Sequence, residues 1–204
     1  MEKEKFYALK DSYIKSLMQN LAKNPQDKES LDSLCETLEI EPKDVYIGDF
    51  YKKQNEVKGE FYDFPYTVAI GKINAGELNM NAPNLKYVEG DLTGGFDDCK
   101  TILTSLEIVD GDFWLENNTP NKLPHIRKIT GDFSGNIYNI PEELKELEEC
   151  GSVTLFTTTD PDDRRSTGKI TFEEFKEKEE DFKTLFPQIT FENSKNLKND
   201  NPSL

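Results

Sequence analysis

The sequence predicts an α/β solenoid in which short strands stack in parallel along one side and helices cap both ends. Three observations carry this. A glycine-centred unit returns about every 20 residues, apolar and polar residues alternate around each glycine, and helix-period apolar stripes are confined to the two ends of the chain.

From Lys3 to Lys23, Phe6, Leu9, Tyr13, Leu17 and Leu21 fall three or four residues apart, one face of a helix, and Asn24-Pro25 ends it. A second helix over about Lys28 to Leu38 repeats the pattern with Leu31, Leu34 and Leu38. An open solenoid exposes the apolar edge of its first coil, so this pair is expected to cover that coil. The units then follow. Gly90-Asp91-Leu92, Gly111-Asp112-Phe113, Gly131-Asp132-Phe133 and Gly151-Ser152-Val153 are spaced by 21, 20 and 20 residues. The first three have apolar residues five and two places before the glycine: Leu85 and Val88, Leu106 and Val109, Ile126 and Ile129. Of two weaker upstream copies, Gly71-Lys72-Ile73 is counted as a coil and Gly48-Asp49-Phe50 is not.

In Val88-x-Gly90-x-Leu92 and its two copies, the apolar residues and the glycine are read as one face of a strand and the polar residues as the other. One such strand cannot bury its face alone, so copies stack, and glycine at the middle lets the returning backbone approach closely. Among the return segments, Cys99 to Ser105 shows no period, Asn117 to Pro124 reads as loop, and Pro141 to Leu147 as a helical turn. Thr171-x-x-Glu174 has the form of a capping box opening a helix from about Phe172 to Leu185, stopped by Pro187, and Gln188 to Glu192 reads as a last strand. The organisation is thus a helical cap over 1–43, a solenoid with a C-terminal helix over 44–192, and a polar, mobile tail over 193–204.

The segment from Leu85 to Leu155, about a third of the chain, resembles leucine-rich-repeat proteins of the divergent kind, with an L-x-x-[IV]-x-G-D-[LF] unit as in the L domains of receptor ectodomains. Glycine stands where the common unit has its central leucine, and no asparagine ladder follows. The resemblance implies a scaffold for protein recognition.

Composition narrows the function. The chain has 204 residues and a net charge of −15, with 11% aromatic residues, too many for a disordered chain. Its pI near 4.6 argues against direct nucleic-acid binding, which needs clustered Lys and Arg. No apolar run approaches a membrane span, and Met1 to Lys5 lacks the apolar stretch of a signal peptide, so no membrane contact and a cytoplasmic setting are expected. Cys35, Cys99 and Cys150 are widely spaced without a CxxC, which predicts buried thiols and no metal or other cofactor.

Stacked in register, Asp91, Asp112 and Asp132 form one column, Glu89 and Asp110 begin a second, and Thr93, Trp114 and Ser134 a third. Like charges in a column repel, so water, backbone hydrogen bonds or a basic ligand must offset them. Trp114 beside such columns has the composition of a binding surface. The expected site is therefore Glu89, Asp91, Asp110, Asp112, Trp114 and Asp132, used by a non-enzymatic interaction module to bind another protein with a basic surface. The alternative is an acidic inhibitor or decoy occupying a basic, nucleic-acid-binding groove of a partner protein. No catalytic constellation stands out. His125 is the only histidine, and the EF-hand-like stretch Asp163 to Glu174 puts Arg165 at a ligand position, where it repels calcium.

Overall fold

The computed structural model describes residues 2–51, 61–76, 78–95, 101–115, 125–136, 147–156 and 169–177. Helix α1 (Glu2–Lys23) is followed by α2 (Lys28–Leu38), whose start is capped by Asp27, which accepts the Ser30 N–H at 3.2 Å. Glu39 ends α2 in the left-handed region at φ 56°, and Ile40 N–H closes back on Cys35 O at 3.0 Å. A 3-10 turn, Pro42–Asp44, leads into the solenoid.

Among the described residues, the coils build two long sheets and, from the first three coils, a third. The first holds β1 (Val45–Ile47), β4 (Val68–Ile70), β7 (Tyr87–Glu89), β10 (Ile108–Asp110) and β12 (Lys128–Ile129), all parallel. The second holds β2 (Phe50–Tyr51), β5 (Ile73–Ala75), β8 (Leu92–Gly94), β11 (Phe113–Leu115), β13 (Phe133–Asn136) and β14 (Ser152–Phe156) in parallel, with β15 (Ile170–Thr171) added antiparallel at the end. The third holds β3 (Tyr62–Asp63), β6 (Met80–Asn81) and β9 (Thr101–Ile102). The solenoid of parallel strands with helices at both ends is the architecture expected. The third sheet is new, and it places a strand at Thr101 where the sequence shows no period.

One expectation is corrected. The residues flanking each glycine do not share a strand: Val88 lies in β7 and Leu92 in β8, members of different sheets, with Gly90 at the bend between them. Gly48, Gly71 and Gly90 have φ near +130°, which only glycine adopts without strain. The bend turns both flanking apolar residues inward. Register partners therefore line the core as a column, Phe50, Ile73, Leu92, Phe113, Phe133 and Val153. All are buried, and each contributes about 1.5–3 kcal/mol through removal from water. Gly48 forms a true coil as well, contrary to expectation, since its carbonyl lies directly beneath Gly71.

The stripe on α1 also differs from the expected one. Ile14, Leu17, Met18 and Leu21 are buried, whereas Leu9 and Tyr13 are 72% and 49% exposed. The reason is how far the helix reaches. Its C-terminal half packs with Leu34 of α2 against Val68, Ile70 and Tyr87, with Val45 and Ile47 of the first coil alongside. Its N-terminal half extends over polar positions of later coils, so the cap continues sideways along the outer face of the first sheet. The side chain of Phe6 lies outside the described residues.

At the other end, Thr171 and Glu174 form the expected capping box. Thr171 N–H donates to Glu174 Oε2 at 2.9 Å, and Glu174 N–H to Thr171 Oγ1 at 3.1 Å. Helix α3 (Phe172–Glu177) follows and inserts Phe175 into the main core. Its expected continuation to Leu185, the strand at 188–192, the returns at 117–124 and 141–146, most of the EF-hand-like loop, Cys99 and the tail lie outside the described residues. Cys35 and Cys150 are free and buried, as expected.

Thr101 is wholly buried against Gly94, and its Oγ1 has no hydrogen-bond partner. Such a group costs about 1–3 kcal/mol. Thr101→Val, of nearly the same shape, is expected to raise stability by about 1 kcal/mol in denaturant melts; a loss of stability would show that the hydroxyl is needed.

Candidate functional site

The bend that follows the first sheet builds an aspartate ladder. Asp49 Oδ1 accepts the Lys72 N–H at 2.8 Å, Asp91 Oδ1 that of Asp112 at 3.1 Å, and Asp112 Oδ1 that of Asp132 at 2.9 Å. Asp132 Oδ1 accepts from Ser152 Oγ at 2.7 Å. Each carboxylate thus satisfies a backbone or hydroxyl donor of the next coil, which the bend leaves outside the sheet ladders. This is how a column of like charges is tolerated, together with two lysines. Lys72 Nζ reaches Asp91 Oδ2 at 2.8 Å, and Lys169 Nζ reaches Asp132 Oδ2 at 2.6 Å. Those ammonium groups hold Asp91 and Asp132 below the ordinary carboxyl range, with Ser152 adding to the effect on Asp132. Asp112, the exposed middle rung of the three, has no ion pair among the described residues.

Two residues beyond Asp112, on the outer face of the second sheet, Trp114 keeps 41% of its surface exposed. Register places Tyr51, Asn74, Thr93, Trp114, Ser134 and Thr154 in one outward row along that sheet. The third column expected from the sequence, Thr93, Trp114 and Ser134, is therefore part of this row.

Glu89 and Asp110 are in register as expected, but not on an open face. They lie beneath α1, in a cleft of about 570 Å³ between that helix and the first sheet. Lys15 of α1 donates to Asp110 Oδ1 at 2.7 Å, and Thr130 Oγ1 donates to the same oxygen at 2.6 Å. Glu89 Oε2 and Asp110 Oδ2 are buried with no other donor in reach. Burial first, then its contact with Asp110, pushes the Glu89 carboxyl up to about 8, while Glu89, Lys15 and Thr130 together outweigh burial and keep Asp110 low. The pair therefore carries one proton across the neutral range. On the next coil, Arg127 donates to Asp11 of α1 at 2.5 and 2.8 Å, which holds the guanidinium firmly charged. Burial beside Glu107 pushes the Tyr87 hydroxyl up to about 12.

Of the six expected residues, Asp91, Asp112, Asp132 and Trp114 face solvent at the bend and the second sheet, and Glu89 and Asp110 are covered by α1. Sequence reasoning missed Lys72, Lys169, Lys15 and Arg127. Lys72 is visible in the aligned triplets, since it stands where four of the other five copies carry aspartate; the remaining three depend on long-range packing. Among the described residues, no helix is long and apolar enough to cross a membrane, and no three His, Cys, Asp or Glu side chains are grouped to hold a metal ion. Compared with known proteins, the chain matches no protein-family model, no curated protein and no solved structure.

Proposed function

We propose that this chain is a non-enzymatic, leucine-rich-repeat-like interaction scaffold that docks a protein partner on the outer face of the second sheet, with Asp112 and Trp114 taking a basic side chain of that partner. The carrying observation is the uneven use of the ladder. Lysines of this chain pair with Asp91 and Asp132, and between them Asp112 is exposed, two residues before the exposed Trp114. A guanidinium suits this pair, because it can meet a carboxylate through its planar fork and stack on an aromatic ring. A rigid row of parallel strands supports the contact without loop rearrangement, and the net charge of −15 draws a basic partner in from a distance. The leucine-rich-repeat likeness supports the same role through the 20-residue period and the parallel order of the coils.

Trp114 is the only tryptophan, so its emission reports directly on this surface. An arginine-rich peptide is expected to shift that emission saturably, and Asp112→Lys to weaken the binding by about tenfold or more, near 1.4 kcal/mol. Asp112→Lys also removes the acceptor of the Asp132 N–H, at a cost of about 1 kcal/mol that leaves the fold intact, and Trp114→Ala, at an exposed position, is expected to change the melting temperature little. A partner captured equally by the wild type and both variants would remove this surface from consideration.

A further inference from the structure

We propose that α1 is a proton-gated strap, its N-terminal half closed on the Gly111 and Gly131 coils while one proton is held between Glu89 and Asp110, and released when that proton leaves. The geometry is asymmetric along the helix. The C-terminal half is anchored by Ile14, Leu17, Met18 and Leu21 on apolar neighbours. Before Ile14, the described ties to the solenoid include the Asp11–Arg127 ion pair; one residue beyond it, Lys15 meets Asp110. Between these ties lies the cleft, and at its floor are two carboxyl groups on adjacent strands about 4.8 Å apart. Their facing oxygens have no donor except a proton carried by one of them.

The charged groups around the pair leave a second negative charge uncompensated. From α1, Asp11 is engaged by Arg127 and Lys15 by Asp110; Lys15 and Lys23 also favour the ionised form of Glu89 through their charge, but burial and Asp110 outweigh them. From the Gly131 coil, Lys128 is engaged by Glu149 at 2.5 Å, and Arg127 also lies near Glu107. Glu148 and Glu149 line the same cleft and add negative charge; Tyr87 beside Glu89 stays neutral. Once ionised, Glu89 must be hydrated, because a buried carboxylate without partners is costly. Its route to water is the seam under α1. Hydrating it draws water into that seam and separates the two carboxyl groups, leaving the Asp11–Arg127 ion pair to hold the helix before Ile14.

Proton linkage sets the sign. A carboxyl that holds its proton more tightly in the closed state favours opening progressively as pH rises from its free value, near 4.5, to its closed value, near 8, and no further above that. Amide hydrogen exchange of the full-length protein, corrected for the intrinsic rate, tests this. Protection of Ala8 to Lys15 is expected to fall at least tenfold between about pH 5.5 and about pH 8.5, and to lie below that of β8 and β11 at every pH, the mark of an opening smaller than global unfolding. Glu89→Gln, which donates an amide N–H to Asp110 without titrating, is expected to give a flat profile over α1. A flat wild-type profile, α1 protection no lower than that of β8 and β11, or an unchanged slope in Glu89→Gln overturns the proposal. Should Glu89→Gln not fold, the wild-type contrast between α1 and the two strands decides alone.

Discussion

Gly90→Ala is expected to destabilise the protein by about 4 kcal/mol or more, enough to take much of the 5–15 kcal/mol that holds a typical domain together. Two costs coincide at this position. Its φ of +130° is strained for any L side chain, at about 1–3 kcal/mol. A Cβ there would also stand 2.6 Å from the carbonyl oxygen of Gly71, a backbone atom fixed in the coil below, adding an overpacking cost of about 1–3 kcal/mol. The column offers its own controls. Gly48 has the same backbone but open space where a Cβ would go, so Gly48→Ala isolates the strain and should cost about 1–3 kcal/mol. Gly111 is free of a strained φ but would meet Gly90 O at 2.5 Å, so Gly111→Ala isolates the collision. Denaturant melts of the three variants should rank Gly90 as the most damaging and close to the sum of the other two. Since coils interact only with their neighbours, a break at Gly90 also uncouples the coils on either side, and a lowered m-value would register that. If Gly90→Ala melts like the wild type, coils are not stacked glycine on glycine.

The glycine period was legible in the sequence because it has one cause acting at every coil after the first: only hydrogen fits between a bend and the carbonyl beneath it. The parallel order followed, since a period of about 20 residues leaves room for a return to the same edge. What was not legible depends on direction rather than spacing. Val88-x-Gly90-x-Leu92 has the alternation of one strand, and a bend at the centre preserves it while sending the two halves into different sheets. The same ambiguity hid the covering of Glu89 and Asp110. Alternation placed them on the outer face correctly, but α1 carries apolar residues on more than one side, and Leu9 and Tyr13 matched the helical period as well as Ile14 and Met18 did. The third sheet gave little signal because its strands span two residues each, with Asp63 and Asn81 joined by a side-chain hydrogen bond of 2.9 Å in place of a long ladder. The aspartate ladder was visible as a column, and its work at the bend followed only once the coils could be seen to pass a backbone N–H from each to the one before.

Glu89→Gln is expected to stabilise the protein most at mildly alkaline pH and hardly at all near pH 4. In the wild type the folded chain holds a proton on Glu89 up to about pH 8, whereas the unfolded chain releases it near 4.5. The native state therefore binds more protons than the unfolded one between those values, and stability falls with rising pH across that window at no more than about 1.4 kcal/mol per pH unit. Glu89 retains some contact with water, so the accumulated loss is expected to be well below that limit, about 1–2 kcal/mol. Asp110 acts in the opposite sense. Its carboxyl is held below 3.8 in the folded chain, so its contribution is present above that value and lost as pH falls through the folded one. Together the two confine the best stability of the pair to the interval between 3.8 and 4.5. Glutamine keeps a donor for Asp110 while removing the proton that must be taken up on folding, so the variant should lose the alkaline decline and keep the acid one. Asp110→Asn should do the reverse at the acid end and also release Lys15, whose ammonium then has no carboxylate at 2.7 Å. Urea melts across the range separate these outcomes. An alkaline decline of equal slope in wild type and Glu89→Gln would mean that Glu89 carries no proton in the folded protein, and that the two buried oxygens are kept apart by something other than a shared hydrogen.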